Sequence, residues 1–114
     1  MSKRILKINE LLKRQIGQLL LKEVEFPKDV LVTITRVETS FDLRVAIVRV
    51  SVLPSSASKV VKEILNCRIY DLQQEINKRL RMRPIPKIIF REEKEVGEAA
   101  KIEELLEKTK INNN

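Results

Sequence analysis

Histidine and tryptophan are missing from this 114-residue chain, and cysteine occurs once. Without histidine there is no imidazole general base, no Ser–His or Cys–His nucleophile and no His-containing metal site. One cysteine, Cys67, supports neither a disulfide framework nor a thiolate zinc site. Two glycines cannot build a Gly-rich phosphate loop. Three Phe and one Tyr are too few for the aromatic platforms on which RRM or OB modules stack successive bases. Long apolar runs are absent too. Leu19-Leu20-Leu21 is interrupted by Lys22-Glu23, far short of the roughly 20 residues that span a bilayer. Met1-Ser2-Lys3-Arg4 is not followed by an apolar stretch of the signal-peptide kind, and Ser2 excludes myristoylation. The expectation is a cytoplasmic protein with no membrane partner, consistent with its single cysteine. No metal site and no cofactor are expected. The one enzyme reading available, a carboxylate pair drawn from Glu92, Glu93 and Glu95, consists of near-consecutive solvated acids. The chain is therefore read as not an enzyme.

Positive charge is what the chain does have. It carries 23 Lys+Arg against 16 Asp+Glu, a formal charge of +7. The excess is uneven. Residues 1–24 hold six bases and two acids, residues 25–54 four of each, residues 55–91 nine bases and three acids, and residues 92–114 four bases and seven acids. Cations clustered this way attract polyanions over about a Debye length, roughly 8 Å at physiological salt. Nucleic acid is the better partner, since nothing in the chain fits a membrane.

Apolar spacing gives the element order. Ile5, Ile8, Leu12, Ile16, Leu19 and Leu20 recur every three or four residues, which predicts a helix over 4–24 that stops before Pro27. Two β-branched alternating stretches, 30–37 and 43–53, predict a hairpin whose link contains the turn formers Ser40 and Asp42. One face of each is uniformly apolar, the pattern of an antiparallel sheet covered by helices on one side. Ser55, Ser56 or Ser58 is expected to cap a second helical region. That region reaches about residue 81, with Asn66-Cys67-Arg68 the weakest helix formers in it. Pro84-Ile85-Pro86 ends it, Lys87-Ile88-Ile89-Phe90-Arg91 reads as a third strand, and Glu98 to Lys108 as a short C-terminal helix. Residues 1–109 form a single domain and 110–114 a tail. Cys67 and Phe90 are expected in the core, Phe41 as a cap on it, and Tyr70 packed rather than stacked on a ligand.

Four stretches in this order resemble the ribosome-binding factor A family. They are the basic amphipathic helix from Arg4 to Glu23; Val32-Thr33-Ile34-Thr35-Arg36-Val37-Glu38-Thr39-Ser40-Phe41-Asp42-Leu43, with its Ser-x-Asp-Leu element; Val45-Ala46-Ile47-Val48-Arg49-Val50-Ser51-Val52; and Leu72 to Phe90, with its Arg-rich helix exit, prolines and third strand. The resemblance covers roughly residues 4–106. It implies an α+β, type II KH-like fold of order α-β-β-α-kink-α-β, a three-stranded sheet with helices packed on one face. The family's Ala-x-Gly kink would fall at Arg68, Ile69 and Tyr70, where this chain has no glycine. It also implies a non-catalytic ribosome-biogenesis factor, a monomer that binds 16S rRNA in the immature 30S subunit, assists its maturation, leaves when the subunit matures and works beside other assembly factors. A generic KH-like module binding another structured RNA is the alternative.

Lys78, Arg79, Arg81, Arg83 and Lys87 place five cations within ten residues around a helix end and a proline turn. Arginines there can bridge phosphates bidentately. An ordinary solvated face is the bland reading, with Asp71 and Glu75 spaced to pair with Arg79. Lys3, Arg4 and Lys7, then Lys13 and Arg14, form a second cluster, with the polar face of a surface helix as its bland reading; Lys59, Lys62 and Arg68 extend the first cluster, and Glu63 tempers them. The candidate RNA-binding set is Lys3, Arg4, Lys7, Arg68, Lys78, Arg79, Arg81, Arg83 and Lys87. The recognition expected is of phosphates and RNA shape, with strong salt dependence.

Overall fold

The computed structural model describes residues 3–93. The expected C-terminal helix over 98–108, the tail and Glu95 lie outside the described residues. The order is helix α1 (Lys3–Glu23), strands β1 (Leu31–Thr39) and β2 (Val45–Leu53), a 3-10 turn (Ser55–Ala57), helix α2 (Ser58–Arg79) and strand β3 (Lys87–Glu92). The architecture is α+β, and the order is consistent with a KH-like fold.

In α1 the apolar spacing has its intended effect. Ile5, Ile8, Leu12, Ile16, Leu19 and Leu20 are all buried, and Asn9 is buried among them. Each fully buried Leu or Ile contributes about 1.5–3 kcal/mol relative to exposure. Both helices pack on the sheet face formed by Ala46, Val48, Val50 and Val52 of β2, so one core serves the whole domain. The opposite sheet face is open, and Val45, Ile47 and Arg49 on it are half-buried.

Several expectations need correction. The sheet is mixed, not antiparallel: β1 pairs antiparallel with β2, but β3 pairs parallel with β2. The cause is the intervening α2, a crossover that returns the chain to the end from which β2 started. The serines do not cap α2. Its N-cap is Ala57 without a side-chain hydrogen bond, and the Ser58 hydroxyl donates instead to Glu92 of β3 at 2.6 Å.

At the position where the resemblance implies an inter-helix kink, the helix continues. Arg68, Ile69 and Tyr70 lie inside one uninterrupted helix. None of them is Gly or Pro, so continuing the helix costs only a few tenths of a kcal/mol per residue relative to better formers. Against that, Val61, Leu65, Leu72 and Ile76 form a buried stripe that only an unbroken helix keeps in line. Cys67 faces solvent off this stripe and is exposed, and Tyr70 is exposed as well. Phe90 is half-buried and packs against the core.

Candidate nucleic-acid interface

Eight of the nine candidate cations are carried by segments that hydrogen bonds tie to one end of the sheet. Lys3, Arg4 and Lys7 lie on the first two turns of α1, all exposed. Asn9, two residues after Lys7, accepts hydrogen bonds from the Thr39 backbone N–H (3.0 Å) and hydroxyl (2.6 Å), tying this half of α1 to the end of β1. Lys78 and Arg79 occupy the last turn of α2, and the Arg79 guanidinium donates to the Gln15 side chain of α1 at 3.2 Å. Arg81 and Arg83 follow in the connection to β3, whose first residue is Lys87. The Lys87 backbone N–H donates to the Arg44 carbonyl at 2.8 Å, which brings the β1–β2 turn to the same place.

The proline connection is held rather than loose. Gln73 of α2 donates to the Pro86 carbonyl (3.1 Å) and accepts from the Ile88 N–H (2.7 Å). The Arg83 guanidinium folds back onto the Leu80 and Met82 carbonyls, at 3.2 and 2.6 Å. That satisfies a carbonyl the helix end would otherwise leave open and suits the negative end of the helix dipole.

Arg68 lies ten residues before Lys78 on α2, about 15 Å along the helix, at the seam with the C-terminal half of α1. There it faces Asp71 at 3.9 Å, too long for a hydrogen bond, and its Nε is buried without a hydrogen-bond partner. Charge counting groups Arg68 with the others; in the fold it shares a groove with Lys78, which the acids Glu23, Asp71 and Glu75 line with them.

Arg44 is a cation the sequence reading passed over. Its side chain is 83% exposed and 3.8 Å from Asp42. The signal was available, since the turn between two paired strands sits at one end of a sheet by necessity. Phe41, expected to cap the core, is instead exposed at the tip of this turn.

Charge pairing separates this end from the rest of the surface. On the open sheet face Arg36 binds Glu93 (2.9 Å) and Glu38 (3.3 Å), and Arg49 binds Glu38 (3.1 Å). Thr35 donates to Glu93 as well, and that bond first, then Arg36, holds the Glu93 carboxyl below its ordinary range. Lys3, Arg4, Lys7, Arg81 and Lys87 have no acidic partner among the described residues. Lys78 has only Glu75, at 3.8 Å on the same helix, a pair worth at most a few tenths of a kcal/mol. Unpaired cations keep their field for an external polyanion, whereas paired ones do not. Two of the three acids of the carboxylate reading are engaged elsewhere, Glu92 with Ser58 and Glu93 with Thr35 and Arg36. Among the described residues no group of three potential metal ligands occurs, and no helix is long and apolar enough to cross a membrane.

The turn beside these cations is braced by side-chain hydrogen bonds. The Ser40 hydroxyl donates to the Asp42 carboxylate (2.7 Å) and accepts from the N–H groups of Arg44 and Val45, each at 3.1 Å. That bond from Ser40, then the Arg44 N–H, lowers the Asp42 pKa. A carboxyl depressed in the folded state contributes its stability above the ordinary aspartate value, and loses it as pH falls through the lower folded value. The Asp42 carboxyl resonance is therefore expected to titrate below the ordinary aspartate range in an NMR pH series. In Ser40→Ala it should move back up. An unchanged midpoint in that variant would show that Ser40 does not hold the charge.

The family model described as ribosome-binding factor A matches residues 4–106. A ribosome-binding factor A from Thermodesulfovibrio yellowstonii is 33% identical over 108 residues, covering 95% of this chain and 92% of that protein. The solution NMR structure of a candidate ribosome-binding factor A from Thermotoga maritima superposes with a TM-score of 0.71 at 31% identity, covering 84% of this chain and 92% of that one. A homology model of the Thermus thermophilus ribosome-binding factor A, as fitted into the cryo-EM map of its complex with 30S, gives a TM-score of 0.60 at 25% identity, over 73% of this chain and 88% of that one.

Proposed function

The chain belongs to the ribosome-binding factor A family, and from that premise we propose that it binds 16S rRNA of the immature 30S subunit through its cationic end and assists maturation without catalysing a reaction. The observation that carries the reading is that the segments bearing Lys3, Arg4, Lys7, Lys78, Arg79, Arg81, Arg83 and Lys87 are tied to one end of the sheet, most of these cations having no acidic partner among the described residues. Its mechanism is binding energy. RNA conformers that fit the cationic end are populated more, by as much as they bind it better than their competitors. The chain acts in the cytoplasm as a monomer, beside other assembly factors, and leaves when the maturing subunit no longer presents that conformer. The relative placed in a 30S complex supports the choice of particle.

Sedimentation tests this directly. The chain is expected to co-sediment with small subunits from assembly intermediates and not with whole ribosomes, and salt is expected to release it. Equal binding to short single-stranded RNA and to subunits would point to a general RNA module instead.

A further inference from the structure

Two apolar side chains flank Asp42 in the β1–β2 turn, and the fold treats them oppositely. Leu43 is buried, with its backbone in the left-handed region at φ 62°. A leucine rarely adopts that conformation, so its burial and the turn's hydrogen bonds must hold it there. Phe41 is 89% exposed. Its neighbours leave it little freedom to fold back. The Ser40 N–H donates to the Val45 carbonyl (2.7 Å) and the Leu43 N–H to the Ser40 carbonyl (2.9 Å), while the Ser40 hydroxyl clasps Asp42, Arg44 and Val45. A large apolar ring thus stands in water on a braced turn, next to exposed Arg44 and one backbone hydrogen bond from Lys87.

We propose that Phe41 is a base-stacking residue, whose ring takes the face of one unpaired nucleobase while the surrounding cations hold the phosphates of the same RNA. The proposal rests on the RNA-binding reading above and deepens it. A phenyl ring has no polar atom, so it offers only its faces and reads no hydrogen-bond pattern. Every base has a π-face, so the contact tolerates sequence. Paired bases in an A-form helix are already stacked on their neighbours, so the ring selects a loop or bulge base. The cationic end then supplies attraction to any RNA, and Phe41 adds a preference for RNA with a splayed base. Tyr70 is also exposed, but it sits in the middle of α2, away from the segments tied to that end of the sheet.

The chain has no tryptophan, so Phe41→Trp installs a single fluorescent reporter at the site. The probes are a synthetic RNA hairpin with an unpaired loop and a fully paired duplex of equal length. Phe41→Trp is expected to bind the hairpin like the parent chain, with its emission quenched by the hairpin and not by the duplex. Phe41→Ala is expected to bind the hairpin about tenfold or more weakly, as loss of one base–aromatic stack requires, with duplex binding, salt dependence and melting temperature unchanged. Parent-level hairpin binding by Phe41→Ala, or equal quenching by both RNAs, overturns the stacking proposal and leaves the RNA reading standing. A blue shift without quenching on whole small subunits also overturns it, since the ring would then contact protein. If the parent chain binds neither these RNAs nor small subunits, the RNA reading itself fails and takes the proposal with it.

Discussion

Neutralising Lys7, Arg81 and Lys87 together, each to glutamine, is expected to weaken RNA binding by about two to three orders of magnitude at ~0.1 M salt. The three sit on different segments. One lies on α1, one in the connection after α2 and one at the start of β3, and none has an acidic partner among the described residues. Each cation that neutralises a phosphate releases condensed counterions. The slope of log K against log salt then falls by about 0.7–0.9 per contact removed, and at ~0.1 M each contact carries a similar number of decades in affinity. Three contacts give about 100- to 500-fold by that arithmetic, with a slope smaller in magnitude by about 2–3. All three side chains are on exposed residues, so folding stability should stay within about 0.5 kcal/mol. The matching control is Arg49→Gln on the open sheet face, where Glu38 already takes the charge at 3.1 Å. Filter-binding titrations over a salt series decide the matter. If Arg49→Gln reduces the slope by as much per charge as the triple variant, the cationic end is not the interface.

The arrangement behind that prediction was partly legible in the sequence. The α1 stripe, the β2 alternation and the Pro-flanked third strand fix where each helix and strand ends, and the segments with cations at those ends are then tied to one end of the sheet. Arg68 shows the limit of counting charge along the chain. Helix geometry sets it about 15 Å from Lys78, and only an unbroken α2 makes that so. Continuity of α2 could not be read from residues 66–70, whose propensities differ from those of better helix formers by tenths of a kcal/mol. The alignment of Val61, Leu65, Leu72 and Ile76 against the core decides it, and that is tertiary information. The resemblance implied a kink built on glycine, yet this chain keeps the element order without one.

The direction of β3 was legible in principle. A helix between two neighbouring strands makes a crossover, and crossovers produce parallel pairs. The alternation pattern of β1 and β2 spoke more loudly, and it carries no information about a third strand. Phe41 failed for a different reason. Periodicity assigns faces to residues in helices and strands, but in a turn the backbone torsions decide which side chain is inward. Here Leu43, in the left-handed region, takes the inward place.

Replacing Asn9 by leucine is expected to destabilise the fold by about 2–4 kcal/mol, although leucine is nearly the same size and the site is apolar. Asn9 is a polar residue on the buried stripe of α1, between Ile8 and Leu12. Its side-chain oxygen accepts two bonds from Thr39, at 3.0 and 2.6 Å, and both residues are buried. Leucine adds apolar burial but leaves the Thr39 N–H and hydroxyl facing hydrocarbon, and each orphaned group costs about 1–3 kcal/mol. For a domain of this size the melting temperature should fall by about 10–25 °C. Thr39→Val removes only the hydroxyl and should cost about 1 kcal/mol alone. In the double variant the hydroxyl is already gone when Asn9 is lost, so the two effects should sum to more than the double variant shows, by about 1 kcal/mol. Urea titrations of the four proteins, with a common m-value, measure this coupling. A purely additive cycle would mean that Thr39 finds another acceptor. It would also mean that the first two turns of α1, which carry Lys3, Arg4 and Lys7, are pinned to the sheet by packing alone.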